Sequence, residues 1–385
     1  MFSLEKNFAT GIGSLPYLDA KEALDFVLSC FKGDIAFWPQ LPKKSFLEQM
    51  MVQFSEKLPG VVIDLKNKNI FVDIKKKSFS REVEECFQNY LDGNLDYFSI
   101  SPEYASGLYA LCDKLKELQG LGSQKIINPV RDGSSKDDRL LTLNSQDKNQ
   151  LSIKNNLNNI DVAKIISNGV KGQIVGPITL GMNLLDSDKQ PVIYNSELKE
   201  CLIKLLTMKA VWQIRKLKII NEKLKIILFI DEPYLSCSGL SFFTLKREDV
   251  IAALNEIIEA AHAEGAAVGI HCCGNTDWSL ILSTGLDILS FDAYGYLDNL
   301  LLYRDALDKY LARGGILSFG IVPNNEEAQK AGIKEDLANR VRQAKDKLKI
   351  DRFLITSSCG CGTLDIGFSE KISRLSVETA HAFGD

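Results

Sequence analysis

Histidine is scarce in this chain of 385 residues, which has only three, so each one is worth placing. No apolar run approaches the roughly 20 residues that span a bilayer, which argues against a membrane-crossing helix. No basic run stands out, and the formal net charge of -4 argues against a general nucleic-acid binder. The opening Met1-Phe2-Ser3-Leu4-Glu5-Lys6 lacks a basic segment followed by an apolar core, so no secretory signal is expected. The nine cysteines are odd in number and scattered, without a small-domain disulfide framework. A cytoplasmic, reducing setting follows, where clustered cysteines more often serve metals or catalysis.

What is present describes a globular α/β protein: 45% hydrophobic and 25% charged residues. The length suits one large α/β barrel or two ordinary domains. Short apolar runs begin near 9, 36, 173, 226, 266, 288, 316 and 353, and helical periodicity follows most of them, as in 20–31, 196–221, 248–263 and 366–382. Val61–Leu65 and Ile70–Ile74 read as a hairpin across Lys66-Asn67-Lys68-Asn69. Residues 131–160 turn to Asn, Asp, Ser, Lys and Gln, and read as a polar hairpin insertion, with a plain loop as the alternative. Eight strands alternating with helices predict a single (β/α)8 TIM barrel over 1–385. A doubly wound sheet is the rival, but no phosphate-binding glycine fingerprint follows the first strand.

The run Ala266–Ile270 ends in His271-Cys272-Cys273-Gly274. Residues two apart on a strand share a face, so His271 and Cys273 point together and Cys272 points away. Imidazole with thiolate suits zinc. In a barrel the chemistry gathers at the strand C-terminal ends. Cys359 ends the eighth strand and Asp292 the sixth, so His271, Cys273 and Cys359 form a candidate open zinc site with Asp292 as a displaceable fourth ligand. Cys361 competes with Cys359, because a single buried cysteine is more often a small core residue than a ligand. His262 and His381 fall on helices and read as structural.

Several motifs occur in a familiar order: Ile12-Gly13-Ser14, Gly176-Pro177-Ile178-Thr179, Ile230-Asp231-Glu232-Pro233, His271-x-Cys273 and Ser358-Cys359-Gly360. In this the chain resembles the C-terminal catalytic barrel of cobalamin-independent methionine synthase. That superfamily also holds zinc methylcobamide:thiol methyltransferases and uroporphyrinogen decarboxylase. The resemblance implies zinc on His271, Cys273 and Cys359, with Asp292 where the family has a ligating glutamate. It implies that Asp231 holds a substrate ammonium and that Ile12, Gly13 and Ser14 hold its carboxylate. Glu48 is the match for a further glutamate near the second strand.

The chain departs from the family in two ways. No folate-holding N-terminal barrel is expected, and the loop after the seventh strand, Gly320-Ile321-Val322-Pro323-Asn324, lacks the histidine proton donor. Demethylating a tertiary amine needs an acid, whereas cob(I)alamin leaves without a proton. The expected activity is therefore zinc-dependent methylation of the homocysteine thiol, with a methyl-corrinoid protein as donor. Rivals are coenzyme M as acceptor, methyltetrahydrofolate as donor, a metal-free decarboxylase, and a non-catalytic zinc-binding or corrinoid-docking protein. The decarboxylase would want an arginine-rich pocket near the first strand, which the sequence does not show.

Overall fold

A computed structural model describes residues 3–124, 168–238 and 243–384. Eight parallel strands form one sheet: β1 Phe8–Ala9, β2 Ala36–Phe37, β5 Val170–Val175, β6 Ile226–Asp231, β7 Ala267–Cys272, β8 Ile288–Phe291, β9 Ile316–Val322 and β10 Phe353–Ser357. A separate hairpin pairs β3 Val61–Asp64 antiparallel to β4 Asn69–Val72, as expected. The order across the large sheet is β1-β10-β9-β8-β7-β6-β5-β2. It closes on itself through the first two strands: Ile35 N–H donates to Ala9 O at 3.1 Å, Gln40 N–H to Gly13 O at 3.0 Å, and Leu15 N–H to Gln40 O at 2.9 Å. This is the expected (β/α)8 barrel. The expected insertion at 131–160 lies outside the described residues. Among the described residues no helix is long and apolar enough to cross a membrane.

The barrel interior is layered. Phe8, Ile35, Ile227, Phe229, Ile288 and Leu354 are among the residues of an apolar floor separate from the outer core. Above them the inward positions turn polar: Thr10, Lys171, Gln173, Ser290, Ser318 and Thr356 are all fully buried or nearly so. Strand periodicity places these side chains inside, because they stand two or four residues from a floor position or from one another. An apolar floor under a polar mouth positions the site at the strand C-terminal ends.

β5 and β9 depart from the sequence reading. β5 begins at Val170, three residues before the expected Gln173, because Lys171 is accepted inside the barrel rather than bounding the strand. β9 runs on through Ile321 and Val322 instead of ending at Gly320. Gly320 is a point of close approach there, since a Cβ would lie 2.6 Å from Phe291 O and 3.0 Å from Ser357 O.

The helix Ser196–Ile220 packs across the strands and buries a second lysine, Lys209, whose Nζ donates to Ser99 O at 3.1 Å. Burial pushes Lys209 down to about 8 from the usual 10.5. The folded chain therefore binds fewer protons than the unfolded one between these values, and stability rises with pH across that window. This contribution is about 3 kcal/mol in full. In thermal unfolding from pH 8 to 10.5, Lys209→Met is expected to flatten the rise relative to the unaltered protein. Parallel pH profiles would contradict the assignment.

Candidate metal centre

β7 delivers His271, buried, with Cys273 just past the strand end, and the turn after β10 delivers Cys359. The ligand atoms of His271, Cys273 and Cys359 all lie within 4.8 Å of one another. His271 Nδ1 pairs with Ser290 Oγ at 3.0 Å, and Ser290 is its register partner on β8. That bond fixes the ring and leaves Nε2, which is buried and has no partner. The arrangement is the one a metal-ligating histidine adopts, with its second nitrogen held by a neighbour.

The thiols of Cys273 and Cys359 are coupled. A thiol hydrogen bond from Cys273 holds Cys359 down to about 4, with His271 helping against the opposing effect of burial. Cys273, which keeps the proton, is pushed up by the same bond. A low-lying thiolate beside an unpartnered imidazole nitrogen and a second thiol is a soft N/S/S donor set, and it fits zinc.

The remaining cysteines of the stretch turn elsewhere. Cys272 Sγ faces Gly274 O at 3.6 Å, and burial pushes its thiol up to about 12. Burial likewise pushes Cys361 up to about 12, and it contacts Ser357 and Ser369. Cys359 is thus the cysteine brought to the cluster. Asp292 caps the helix Ala293–Leu301, its Oδ1 accepting the Gly295 N–H at 2.8 Å. Its carboxyl is raised by burial and feels both Cys359 and His271. His262 pairs with Asp287 at 2.7 Å and His381 with Asp34 at 2.8 Å, both on the helices expected for them.

A cavity of about 300 Å³ opens on the cluster and is also lined by Ile12, Ser14, Gln40, Glu48, Asp231 and Asn324. Asp231 ends β6 and is buried, and its Oδ1 has no partner. Burial raises its carboxyl to about 6, against the pull of His271 and Lys171. Glu48 is equally buried: Ser106 Oγ donates to Oε1 and Lys44 lies at 3.4 Å, while Oε2 has no partner. Burial raises this carboxyl too.

The segment 12–14 is held by its carbonyls. Lys171 Nζ donates to Ile12 O at 2.7 Å, Gln40 N–H to Gly13 O at 3.0 Å and Cys361 N–H to Ser14 O at 3.0 Å. The N–H groups of Ile12, Gly13 and Ser14 donate to no acceptor among the described residues. Glu232, next to Asp231 in the chain, instead braces the fold. It turns from the cavity and accepts Ile178 N–H, Thr179 N–H and Thr179 Oγ1 at 2.9, 2.8 and 2.6 Å.

Ser14 also pins the cysteine loop, because Gly362 N–H donates to its Oγ at 3.2 Å. A Cβ at Gly360 would lie 2.2 Å from that same oxygen. Gly360→Ala is therefore expected to displace Cys359 and weaken zinc about tenfold or more in chelator competition. Unchanged affinity would contradict the packing described.

Sequence reading missed Gln40, Asn324, Ser290 and Lys171. Ser290 becomes visible only through the His271–Ser290 register. Lys171 did carry a signal, a lone charge within an otherwise apolar or small strand.

Fold and site together define a (β/α)8 barrel with a three-ligand N/S/S metal cradle at its mouth. No family model matches the chain, and no curated protein matches it. Among solved structures it is similar to a B12-independent methionine synthase from Shewanella sp. W3-18-1 in complex with selenomethionine, at 20% identity and a TM-score of 0.41. The match covers 57% of this chain and 64% of that one, so the chain spans less than two thirds of that protein's length. The case for the site stays with its own geometry.

Proposed function

We propose that this protein is a zinc-dependent methyltransferase that moves a methyl group to the thiol of homocysteine, forming methionine. One observation carries the reading. Three buried polar atoms without partners, His271 Nε2, Asp231 Oδ1 and Glu48 Oε2, belong to residues around one cavity beside two cysteine sulfurs. An amino acid with a thiol supplies a partner for each kind of group. Its ammonium answers the two carboxylates, its carboxylate answers the N–H groups of 12–14, and its sulfur reaches the N/S/S cluster.

His271, Cys273 and Cys359 would hold zinc, whose Lewis acidity would favour the thiolate form of the acceptor at neutral pH. Asp292, whose carboxylate caps the helix Ala293–Leu301 and is not among the clustered ligand atoms, would be the displaceable fourth group in this reading. Asp231 and Glu48 orient the acceptor by its ammonium, and the backbone cradle fixes the other end, so the sulfur is presented in one direction. The sulfur lone pair forms the new S–C bond as the bond between methyl and donor breaks, and that electron pair leaves with the donor. On the loop after β9 the cavity is lined by Asn324, which has no titratable proton. A methyl-corrinoid protein, whose corrinoid leaves without protonation, therefore suits this mouth better than methyltetrahydrofolate.

The test is a transfer assay on zinc-loaded protein, pairing homocysteine or mercaptoethanesulfonate with methylcobalamin or methyltetrahydrofolate. Methionine from homocysteine and methylcobalamin is expected. Bound zinc with no methylated thiol in any pairing would favour a non-catalytic zinc-binding or corrinoid-docking protein.

A further inference from the structure

Lys171 is fully buried among neutral partners, and burial pushes it down to about 7 from the usual 10.5, against the pull of Asp231. Its Nζ donates to Ile12 O at 2.7 Å and to Gln173 Oε1 at 3.1 Å, and it stands 4.7 Å from the centre of the Phe229 ring. No carboxylate forms an ion pair with it among the described residues, and Asp231 acts on it at longer range. A buried ammonium without an anion is costly, so the charge is fully held only when an anionic ligand arrives to favour it. The Ile12 carbonyl it grips belongs to the segment whose three N–H groups are free. A trans peptide is planar, with its C=O and N–H opposed, so fixing Ile12 O on the lysine aims the Gly13 N–H away from it.

We propose that Lys171 is a positioning residue of this site, a buried amine against the 12–14 segment whose positive charge is held when an acceptor carboxylate binds there, so that the site selects thiols carrying a carboxylate. This rests on the thiol-acceptor reading above and deepens it. The cradle supplies directed hydrogen bonds, and the lysine supplies the net positive charge that backbone amides lack. It does so through the Ile12 carbonyl, without touching the ligand. The same charge offsets Asp231, so a zwitterionic amino acid meets one centre of each sign.

The experiment is calorimetric binding to zinc-loaded protein, comparing homocysteine with its decarboxylated analogue, aminopropanethiol. Lys171→Met is expected to weaken homocysteine by about tenfold or more and the analogue by less than about twofold, with zinc content unchanged. Lys171→Gln keeps a donor for Ile12 O and removes the charge, and it is expected to behave like the Met variant. Equal weakening of both thiols, or of neither, would overturn the proposal. Should both variants fail to fold, the unaltered protein decides: homocysteine is expected to bind about tenfold tighter than homocysteinamide, and equal affinities overturn the assignment. Unaltered protein that binds none of these thiols is a separate result, because it removes the acceptor reading and this proposal with it.

Discussion

Replacing Cys359 by serine is expected to abolish zinc binding and methyl transfer together, while Cys361→Ser leaves both near normal. The Cys359 thiol is lowered by Cys273 and His271, and its ligand atom lies within 4.8 Å of theirs. Serine keeps the volume and loses the soft, ionised donor, so affinity should fall at least about a hundredfold. Cys361 sits one turn residue beyond Gly360, contacts Ser357 and Ser369, and is buried away from the cluster. Zinc analysis of the two purified variants checks this directly. Retained zinc in Cys359→Ser with loss in Cys361→Ser would reverse the assignment.

The second large effect is at Asp231. Asp231→Ala is expected to raise the KM for homocysteine on the order of a hundredfold, since losing one partner of a buried charge pair costs roughly 2–5 kcal/mol. Zinc content should hold, because Asp231 is not in the ligand cluster. kcat should fall less than kcat/KM, as expected for a group that binds the acceptor rather than taking part in bond exchange. Steady-state kinetics across homocysteine concentration separates the two. Loss of zinc in the variant, or an unchanged KM, would remove Asp231 from acceptor binding.

Much of this architecture was legible in the sequence because barrel strands are short apolar runs closed by polar residues. The start of β2, β6, β8, β9 and β10 agrees with the reading to the residue. The His271/Cys273 pair followed from strand alternation, and Cys359 from the rule that chemistry sits at strand ends. Register was not legible. Pairing His271 with Ser290 depends on how β7 slides against β8, and nothing local to either strand fixes that. Lys171 hid for a related reason: a lysine in a strand reads as an edge or a boundary, and only a closed barrel gives it a polar interior to enter. Asp292 was read from its place at a strand end, but its carboxylate also caps the following helix, a role that the same position invites.

In the proposed function His271, Cys273 and Cys359 hold one zinc ion with a position left for the acceptor's sulfur. X-ray absorption at the zinc edge, with and without homocysteine, measures this most directly. A resting shell with two sulfurs and an imidazole nitrogen is expected, with a third sulfur when homocysteine is added. A shell that homocysteine leaves unchanged, or a protein that takes up no zinc, would contradict it.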